Sequence, residues 1–211
     1  RVLLPQTWFL EMEMAENGNA ALTPQRIEIL KTELDHLRRL VGDLGTLTQV
    51  EAGGLDFQMQ RVNPVNILKN VYQTYQPIAA KQNVDLVLEE PADRAEIFVD
   101  EGRTAQVLKN LIENALRYTS KNGKITLSVA VDDEVHISVK DNGSGIDPAD
   151  LPFVFDRFYK ADRSRGGNPG KMGLGLAICK ALIIAQGGVI NAFSGGKDTG
   201  TTMTISFPLA K

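Results

Sequence analysis

Residues 110–118 read NLIENALRY, the first of an ordered set of motifs that points to a nucleotide pocket. Apolar residues recur every three or four positions around it, as on the buried face of a helix: Val107, Leu108, Leu111, Ile112, Ala115 and Leu116. Asn110, Asn114 and Arg117 are four and three positions apart, so they neighbour one another on that helix. Amide oxygens suit Mg2+ and a guanidinium suits phosphate. A pair of helical asparagines could also simply be solvated, so the interpretation depends on the motifs that follow.

The second motif, DNGSG at 141–145, follows a predicted strand. Residues 134–140 alternate polar and apolar side chains, which is the period of a half-buried strand. A carboxylate at the end of that strand, Asp141, followed by Gly143 and Gly145, offers a fixed acceptor beside backbone that a planar ligand can approach. The amino group of adenine is a fitting donor. Taken alone, the same five residues would equally form a tight turn.

The third motif, GLGLAI at 173–178, opens an apolar helix with two glycines. The start of a helix attracts phosphate, because its amide groups are unpaired and the helix dipole is positive there. The preceding stretch, RSRGGNPGK at 163–171, combines three cations with four Gly or Pro residues. This composition predicts a mobile, phosphate-seeking lid, with a surface loop that binds nothing as the alternative.

In this order the motifs resemble the catalytic and ATP-binding domain of sensor histidine kinases. That domain belongs to an ATPase superfamily which includes DNA gyrase B, MutL and a class of heat-shock chaperones. NLIENALRY resembles the N box, DNGSG the first glycine box, FVFDRFY at 153–159 the F box and GLGLAI the second glycine box. Residues 200–202 resemble the closing Gly-Thr element. The resemblance covers about residues 60–211.

The resemblance implies ATP and Mg2+ as cofactors and gives individual residues a role. Asn110 and Asn114 would hold Mg2+ with the phosphates, Arg117 would contact the phosphate chain, and Asp141 would accept from the adenine amino group. The other expected nucleotide-binding residues border the adenine ring, let backbone approach the nucleotide or supply cations: Tyr118, Gly143, Gly145, Ile146, Arg157, Lys160, Arg165, Gly173, Leu174, Gly175, Leu176 and Thr202.

One position separates the branches of the resembled superfamily. Hydrolytic members carry a glutamate one helical turn before the Mg2+-binding asparagine, where it can activate water. Here that position is Asn110, whose amide takes no proton at neutral pH, so the γ-phosphoryl would be kept for another nucleophile. Asn110 and Arg117 are the expected catalytic residues. Glu113 is a further one, although it lies about 100° from Asn114 around the helix and could be a solvated acid.

Residues 1–55 differ in character from the rest, and the resemblance implies that they are a partial dimerisation and histidine phosphotransfer domain. From Pro24, apolar residues follow one another at spacings of three and four, with Leu40 and Leu47 widening the stripe: Ile27, Leu30, Leu34, Leu37, Val41 and Leu44. A turn around Gly18 separates this helix from an earlier one. We expect a helical hairpin that forms a homodimeric four-helix bundle with a second copy. Paired glycines at 53–54 make a hinge to the next domain.

Residues 56–211 are predicted to form the catalytic ATP-binding domain. Its fold class is α/β, a two-layer sandwich of a mixed β-sheet with helices on one face. Helices are expected at 64–81, around NLIENALRY and at 173–186. Strands are expected at 56–62, 84–88, 97–99, 124–131, 134–140, 189–194 and 201–207.

The phosphoacceptor histidine of the resembled family is not evident. The His-Glu-Leu-Arg-Thr-Pro stretch that usually carries it does not occur. Alignment of EMEMAENG at 11–18 with the end of the first bundle helix puts Pro5 at the motif proline and the histidine upstream of Arg1. His36, on a helix surface, and His136, on the polar face of a strand, are poor substitutes. Since the sequence also begins without Met, we expect a truncated or processed piece, and natural divergence, engineering and misalignment are the alternative explanations of the altered N-terminus.

Composition limits the partners and the cellular location that the chain is expected to have. A net charge of −3 argues against a nucleic-acid surface. The single cysteine, Cys179, lies among apolar residues, which predicts a buried thiol. No run of 18 apolar residues occurs, so only segments outside this sequence would reach a membrane. The resemblance implies a cytoplasmic fragment of a parent anchored in the bacterial inner membrane.

These observations predict a protein-histidine kinase core in a two-component system. ATP and Mg2+ would bind between the motif helix and the lid, and the γ-phosphoryl would pass to a bundle histidine and then to a response regulator receiver domain. The four aromatics at 153–159 would couple lid closure to the bundle or form ordinary core. A catalytically silent nucleotide-binding module and a hydrolytic ATPase are the alternatives.

Overall fold

The computed structural model describes residues 24–89, 95–160 and 173–210. Their helices are α1 (Pro24–Glu51), α2 (Pro64–Lys81), α3 (Glu101–Tyr118) and α4 (Gly175–Ala185), with a short 3-10 helix at Leu151–Phe153. Their strands are β1 (Met59–Val62), β2 (Asp85–Glu89), β3 (Ile97–Asp100), β4 (Lys124–Val131), β5 (Glu134–Asp141), β6 (Val189–Phe193) and β7 (Thr201–Pro208).

The larger sheet has five strands in the order β2-β4-β5-β7-β6. β2 runs parallel to β4, whereas the β4–β5, β5–β7 and β6–β7 pairs are antiparallel. Helices α2, α3 and α4 pack against these strands. The predicted α/β two-layer sandwich with a mixed sheet is therefore confirmed.

Two of the expected strands do not join the larger sheet. β1 and β3 form a separate antiparallel pair, with Met59 opposite Asp100 and Val62 opposite Ile97. β3 cannot continue, because the Asp100 side chain accepts from the Arg103 amide at 2.9 Å and so caps the start of α3. The tight connection places the motif helix directly after a buried strand.

The core lies between the sheet and the helices. Strand residues such as Ile125, Leu127 and Ile137 are fully buried, and so are Leu108 and Ile112 on the facing side of α3. Alternate positions on β4 and β5 are polar, as the period of two in the sequence predicts. Because α3 commits its apolar face to this core, its asparagines face the other way.

Helix α1 begins at Pro24, as expected, and ends at Glu51, beyond which Gly53 adopts a φ of 65°. The first helix of the expected hairpin falls outside the described residues. Most of the apolar stripe on α1 is exposed, up to 73% at Val41. Leu47 departs from the expectation that it widens the bundle stripe. It is 2% exposed, because the end of α1 packs against α4.

Across the three described ranges, no helix has both the length and the apolar character that crossing a membrane requires.

Candidate nucleotide-binding site

The motif helix α3 is fixed at both ends and along its length. At its start, Gln186 from the end of α4 accepts from the Asp100 amide at 2.8 Å. Farther along, the buried Cys179 thiol of α4 donates to the Val107 carbonyl oxygen at 3.9 Å. The prediction of a buried thiol is confirmed. These contacts hold α3 and α4 side by side.

Asn110 lies where α4 begins. A Cβ placed on Gly175, the first residue of α4, would lie 3.7 Å from Oδ1 of Asn110. Among the described residues no side chain caps the α4 N-terminus, whose N-cap residue is Leu174. Unpaired amides at a helix start favour an anion. The amide of Asn110 and the start of α4 therefore border the same space.

The other polar residues of the motif helix follow Asn110 along the same side. Asn114 is half-buried, whereas Arg117 is exposed and Tyr118, the last residue of α3, is 51% exposed. An exposed guanidinium and an aromatic ring at the end of the helix suit contacts to phosphate and to a base. The structure thus brings Asn110 to the start of α4, keeps Asn114 half-buried on the same side of α3, and leaves Arg117 and Tyr118 accessible.

Asp141 ends β5 in a buried position, with 8% exposure. Its Oδ1 accepts from the amides of Gly143 at 2.9 Å and of Thr201 at 3.2 Å. Burial raises the pKa of this carboxyl above its ordinary value, and the two backbone hydrogen bonds only partly offset that effect. The pair of bonds fixes the orientation of the carboxylate, which is the requirement for recognising one donor group of a base.

The first glycine box lies against the end of α3. The Ser144 amide donates to the carbonyl oxygen of Tyr118 at 3.0 Å. A Cβ on Gly143 would lie only 2.3 Å from that same oxygen. The sequence alone suggested that this glycine lets a ligand approach, and the structure adds close packing of protein backbone as a second reason. Asp141 and Tyr118 are thereby brought to one side of the site.

The F box forms a compact base before residues 161–172, which lie outside the described part of the chain. The Phe158 amide donates to the Gly173 carbonyl at 3.0 Å, and Tyr159 Oη donates to Asp150 Oδ1 at 2.5 Å. Phe155 is half-buried against the core, with the Lys180 ammonium 5.9 Å from its ring centroid. The two boxes on either side of the predicted lid are therefore joined at its base.

The three predicted phosphate-binding cations have different positions. The Arg157 guanidinium pairs with the carboxylate of Glu51, the last residue of α1. Lys160 is exposed at the end of the F box. Arg165 lies outside the described residues. The structure thus shows Arg157 in a contact that the motif did not predict.

Glu113 faces α2 and not the start of α4. Its Oε1 accepts from the Tyr75 hydroxyl at 2.8 Å. Burial, and then the hydrogen bond to Glu113, raise the pKa of Tyr75 above its usual range. This position suits a role in packing α3 against α2.

The remaining predicted residues support the site through packing. Leu174 is buried, while Ile146 and Leu176 are partly buried against the core. Thr202 is half-buried in β7, opposite Lys140. Of the two histidines, His136 bridges Ser206 Oγ at 2.7 Å and Asp132 Oδ1 at 3.0 Å on the sheet. The side chain of His36 lies outside the described set.

The donor set fits a Mg2+ ion that is held together with phosphates. In the described part of the chain, no group of three or more His, Cys, Asp or Glu side chains could hold a metal by itself. Asn110 and Asn114 supply neutral amide oxygens, which are hard ligands of the kind that Mg2+ accepts alongside water and substrate phosphates. The residues therefore fit an ion that arrives with a nucleotide.

The family model described as histidine kinase-, DNA gyrase B- and HSP90-like ATPase matches residues 99–211, which contain the whole site. The chain belongs to this ATPase family. The predicted resemblance is confirmed.

Relatives of this ATPase domain are sensor histidine kinases. WalK of Bacillus subtilis (strain 168) is 34% identical over 194 residues, which is 90% of this chain and 31% of WalK. BaeS of Escherichia coli (strain K12) is 31% identical over 202 residues, 95% of this chain and 43% of BaeS. The crystal structure of full-length ShkA in complex with AMPPNP superposes with a TM-score of 0.77 at 26% identity, covering 92% of this chain and 41% of ShkA. The chain thus spans less than half the length of these proteins.

Sequence reasoning missed one residue that shapes the site of this ATPase domain, Ser194. Its hydroxyl donates to the Gly200 carbonyl at 2.7 Å and accepts from the Ile146 amide at 2.9 Å. It therefore ties the first glycine box to the turn before β7, where Thr201 reaches Asp141. The sequence around it, SGG at 194–196, signals a turn but says nothing of this partner.

Proposed function

We propose that this chain binds ATP with Mg2+ and is the catalytic core of a protein-histidine kinase in a two-component system. The γ-phosphoryl passes to a histidine of a helical bundle and then to an aspartate of a response regulator receiver domain. The observation that carries the proposal is the position of Asn110 beside the start of α4, which no side chain among the described residues caps. The side chain of Asn110 places an amide at the position where a hydrolytic enzyme of this superfamily needs a general base.

The nucleotide is oriented from both of its ends. Asp141, whose Oδ1 is held by two backbone amides, accepts from the adenine amino group with its carboxylate, and Tyr118 borders the ring. The phosphates lie at the start of α4, where Arg117 and Lys160 supply positive charge. Gly143, Gly145 and Gly173 admit neighbouring protein backbone, at Tyr118, Gly196 and Tyr159, whereas Gly175 leaves the start of α4 open beside Asn110 and the proposed phosphates. Asn110 and Asn114 hold Mg2+, which offsets charge on the phosphates.

The choice of kinase over hydrolase follows from the chemistry of Asn110. In the transfer, a nitrogen of the acceptor imidazole forms a bond to the γ-phosphorus, and the bond from that phosphorus to the bridging oxygen of ADP breaks. Water would need a base to compete, and an amide cannot accept its proton. The likeness to WalK and BaeS over at least 90% of the chain supports a kinase.

The bundle that presents the histidine is proposed to be a homodimer in the cytoplasm. Apolar side chains along α1 are exposed over several turns: Ile27, Leu30, Leu34, Leu37, Val41 and Leu44. Their spacing of three and four is that of a helical seam, which a second copy of this chain would cover.

Phosphotransfer from labelled ATP with Mg2+ tests this function. We would compare this chain with a longer one, extended before Arg1 by a helical segment that carries a phosphoacceptor histidine, using Asn114→Ala as the control that removes a proposed metal ligand. We expect acid-labile, base-stable label on the longer chain and none on its Asn114→Ala variant. ATP binding without label on either chain would support a silent module, and rapid release of phosphate would support a hydrolytic ATPase.

A further inference from the structure

The ion pair between Arg157 and Glu51 joins two parts of the molecule with different roles. Arg157 belongs to the F box, whereas Glu51 is the last residue of α1. The side chains are 51% and 42% exposed. The pair is therefore open to solvent and can dissociate without uncovering buried charge.

Arg157 is next in sequence to a residue whose backbone contacts the segment leading into α4. The next residue, Phe158, donates its amide to the carbonyl of Gly173, two residues before α4 begins. A Cβ on Gly175 would in turn lie 3.7 Å from Asn110 Oδ1. The backbone of Arg157 is thus tied to the segment that leads into the phosphate-binding helix start, and its long side chain has phosphate oxygens and a carboxylate as alternative partners.

Glu51 lies where α1 meets the ATPase domain. Leu47, one turn earlier, is buried, and Val50 is partly buried against the same core. α1 and α4 are in contact there. The ion pair therefore lies beside an apolar contact that holds the end of α1 on the ATPase domain.

We propose that Glu51 and the phosphates of ATP compete for Arg157, so that nucleotide binding loosens the end of α1 from the ATPase domain. This inference rests on the proposed function, since it places phosphates at the start of α4. Carboxylates and phosphates are both favourable partners for a guanidinium, and an Arg157 side chain that turns toward the phosphates gives up its contact with Glu51. Coupling between two equilibria is reciprocal, so docking of α1 weakens ATP binding by the same factor.

The size of the coupling is set by the exposure of the pair. An exposed ion pair contributes about 0.2–1 kcal/mol, which corresponds to a factor of about 1.4–5 in an equilibrium constant. The effect is a modest bias of the domain arrangement, and it declines with ionic strength because salt screens exposed charges.

Titration calorimetry with ATP and Mg2+ on four variants of this chain tests the competition. Glu51→Gln should tighten ATP binding about 1.4- to 5-fold at low salt, because it frees Arg157. Arg157→Gln should weaken binding, and Glu51→Gln should have no effect in the Arg157→Gln background. Glu134→Gln is the matched control, since it removes one exposed carboxylate at the end of β5 opposite to Asp141. It should leave the affinity unchanged.

Two outcomes would overturn the inference while leaving the proposed function intact. One is an affinity of Glu51→Gln equal to that of Glu134→Gln, and the other is a tightening that persists without Arg157. If none of the proteins binds ATP, wild type included, the proposed function fails with it. Hydrogen exchange gives a second test: amides of residues 47–52 should exchange faster when ATP is bound, and unchanged or slower exchange would contradict the competition.

Discussion

Asp141 is buried, and its pKa lies above the ordinary value of 3.8. A raised folded-state pKa means that this group favours folding most below pH 3.8, and that the contribution is lost as pH rises through the folded pKa. An asparagine at this position does not titrate. The free energy of unfolding of Asp141→Asn, relative to wild type, should therefore rise as pH increases from 3.8 through the folded-state pKa. Thermal unfolding of both proteins between about pH 3 and pH 7 measures this. A constant difference would contradict the raised pKa.

The same residue should decide recognition of adenine. Asp141→Asn replaces a charged acceptor. A hydrogen bond to a charged group contributes about 1.5–3 kcal/mol, so the substitution should weaken ATP binding about 10- to 150-fold. Calorimetry with ATP and with GTP, which carries no amino group at the equivalent position, provides the control. An equal loss for both nucleotides would show that the substitution distorted the site.

Asn110 should determine the fate of the γ-phosphoryl. Asn110→Glu introduces a base beside the start of α4, so we expect ATP hydrolysis to rise by about 100-fold or more, from the lower end of the range of general base catalysis. Asn110→Gln is the control, because it adds the same length without a base and should not raise hydrolysis. Strong hydrolysis by the wild-type protein, measured as released phosphate, would contradict the kinase proposal.

Glu113 should matter for stability and not for phosphoryl transfer. It accepts from the Tyr75 hydroxyl, so Glu113→Gln and Tyr75→Phe should each lower the free energy of unfolding by about 0.5–1.5 kcal/mol. The rate of phosphoryl transfer should stay within about two-fold of wild type, since neither side chain exchanges a proton with a reacting group in the proposed mechanism. Loss of transfer in Glu113→Gln alone, with Tyr75→Phe active, would make Glu113 catalytic.

Among the elements, the turn before β7 holds the adenine side of the site. Gly200 has a φ of 77°, and a Cβ there would lie 2.1 Å from the Asp141 carbonyl oxygen. Gly200→Ala should therefore lower the free energy of unfolding by about 2–5 kcal/mol, combining a left-handed backbone with overpacking. Gly45→Ala in the exposed interior of α1, with nothing within 4 Å, should instead stabilise by up to about 1 kcal/mol. Denaturant unfolding measures both, and a neutral Gly200→Ala would contradict this packing.

The sequence predicted most elements because their patterns are local. The helix at 64–81 and the strand at 124–131 have the expected bounds, since periodicity, an Asn63 cap and turn residues all agree there. The separate β1–β3 pair was not expected, because strand pairing depends on contacts between distant residues. Leu47 shows the same limit, since its apolar character fits either a bundle or the ATPase core.

At the scale of the whole molecule, the exposed stripe on α1 predicts a dimer. Light scattering at micromolar concentration should give twice the chain mass of 23.1 kDa. Val41→Glu places a charge in the stripe and should shift the protein toward monomer, because Val41 is 73% exposed in the single chain. Thr32→Glu is the control, since nine residues of helix place it on the opposite side. A monomeric wild-type protein would contradict the bundle.

The candidate site, like the fold, was predictable where its signals are local in the sequence. The motifs named Asn110, Asp141 and the start of α4 as site residues because each motif carries its own chemistry, and the structure places Asn110 beside the start of α4. Two contacts near these residues were not predictable: Ser194 binds the Ile146 amide and Glu51 pairs with Arg157, each across 48 or more residues of sequence. Such contacts leave no periodic signal.

The central claim is that the motif helix, the end of β5 and the start of α4 form one ATP site. A crystal structure with a non-hydrolysable ATP analogue and Mg2+ tests it most directly. We predict the adenine amino group within hydrogen-bond distance of Asp141, the metal on Asn110 and Asn114, and the phosphates at the amides that begin α4. A nucleotide bound elsewhere, or one whose adenine does not reach Asp141, would contradict the site.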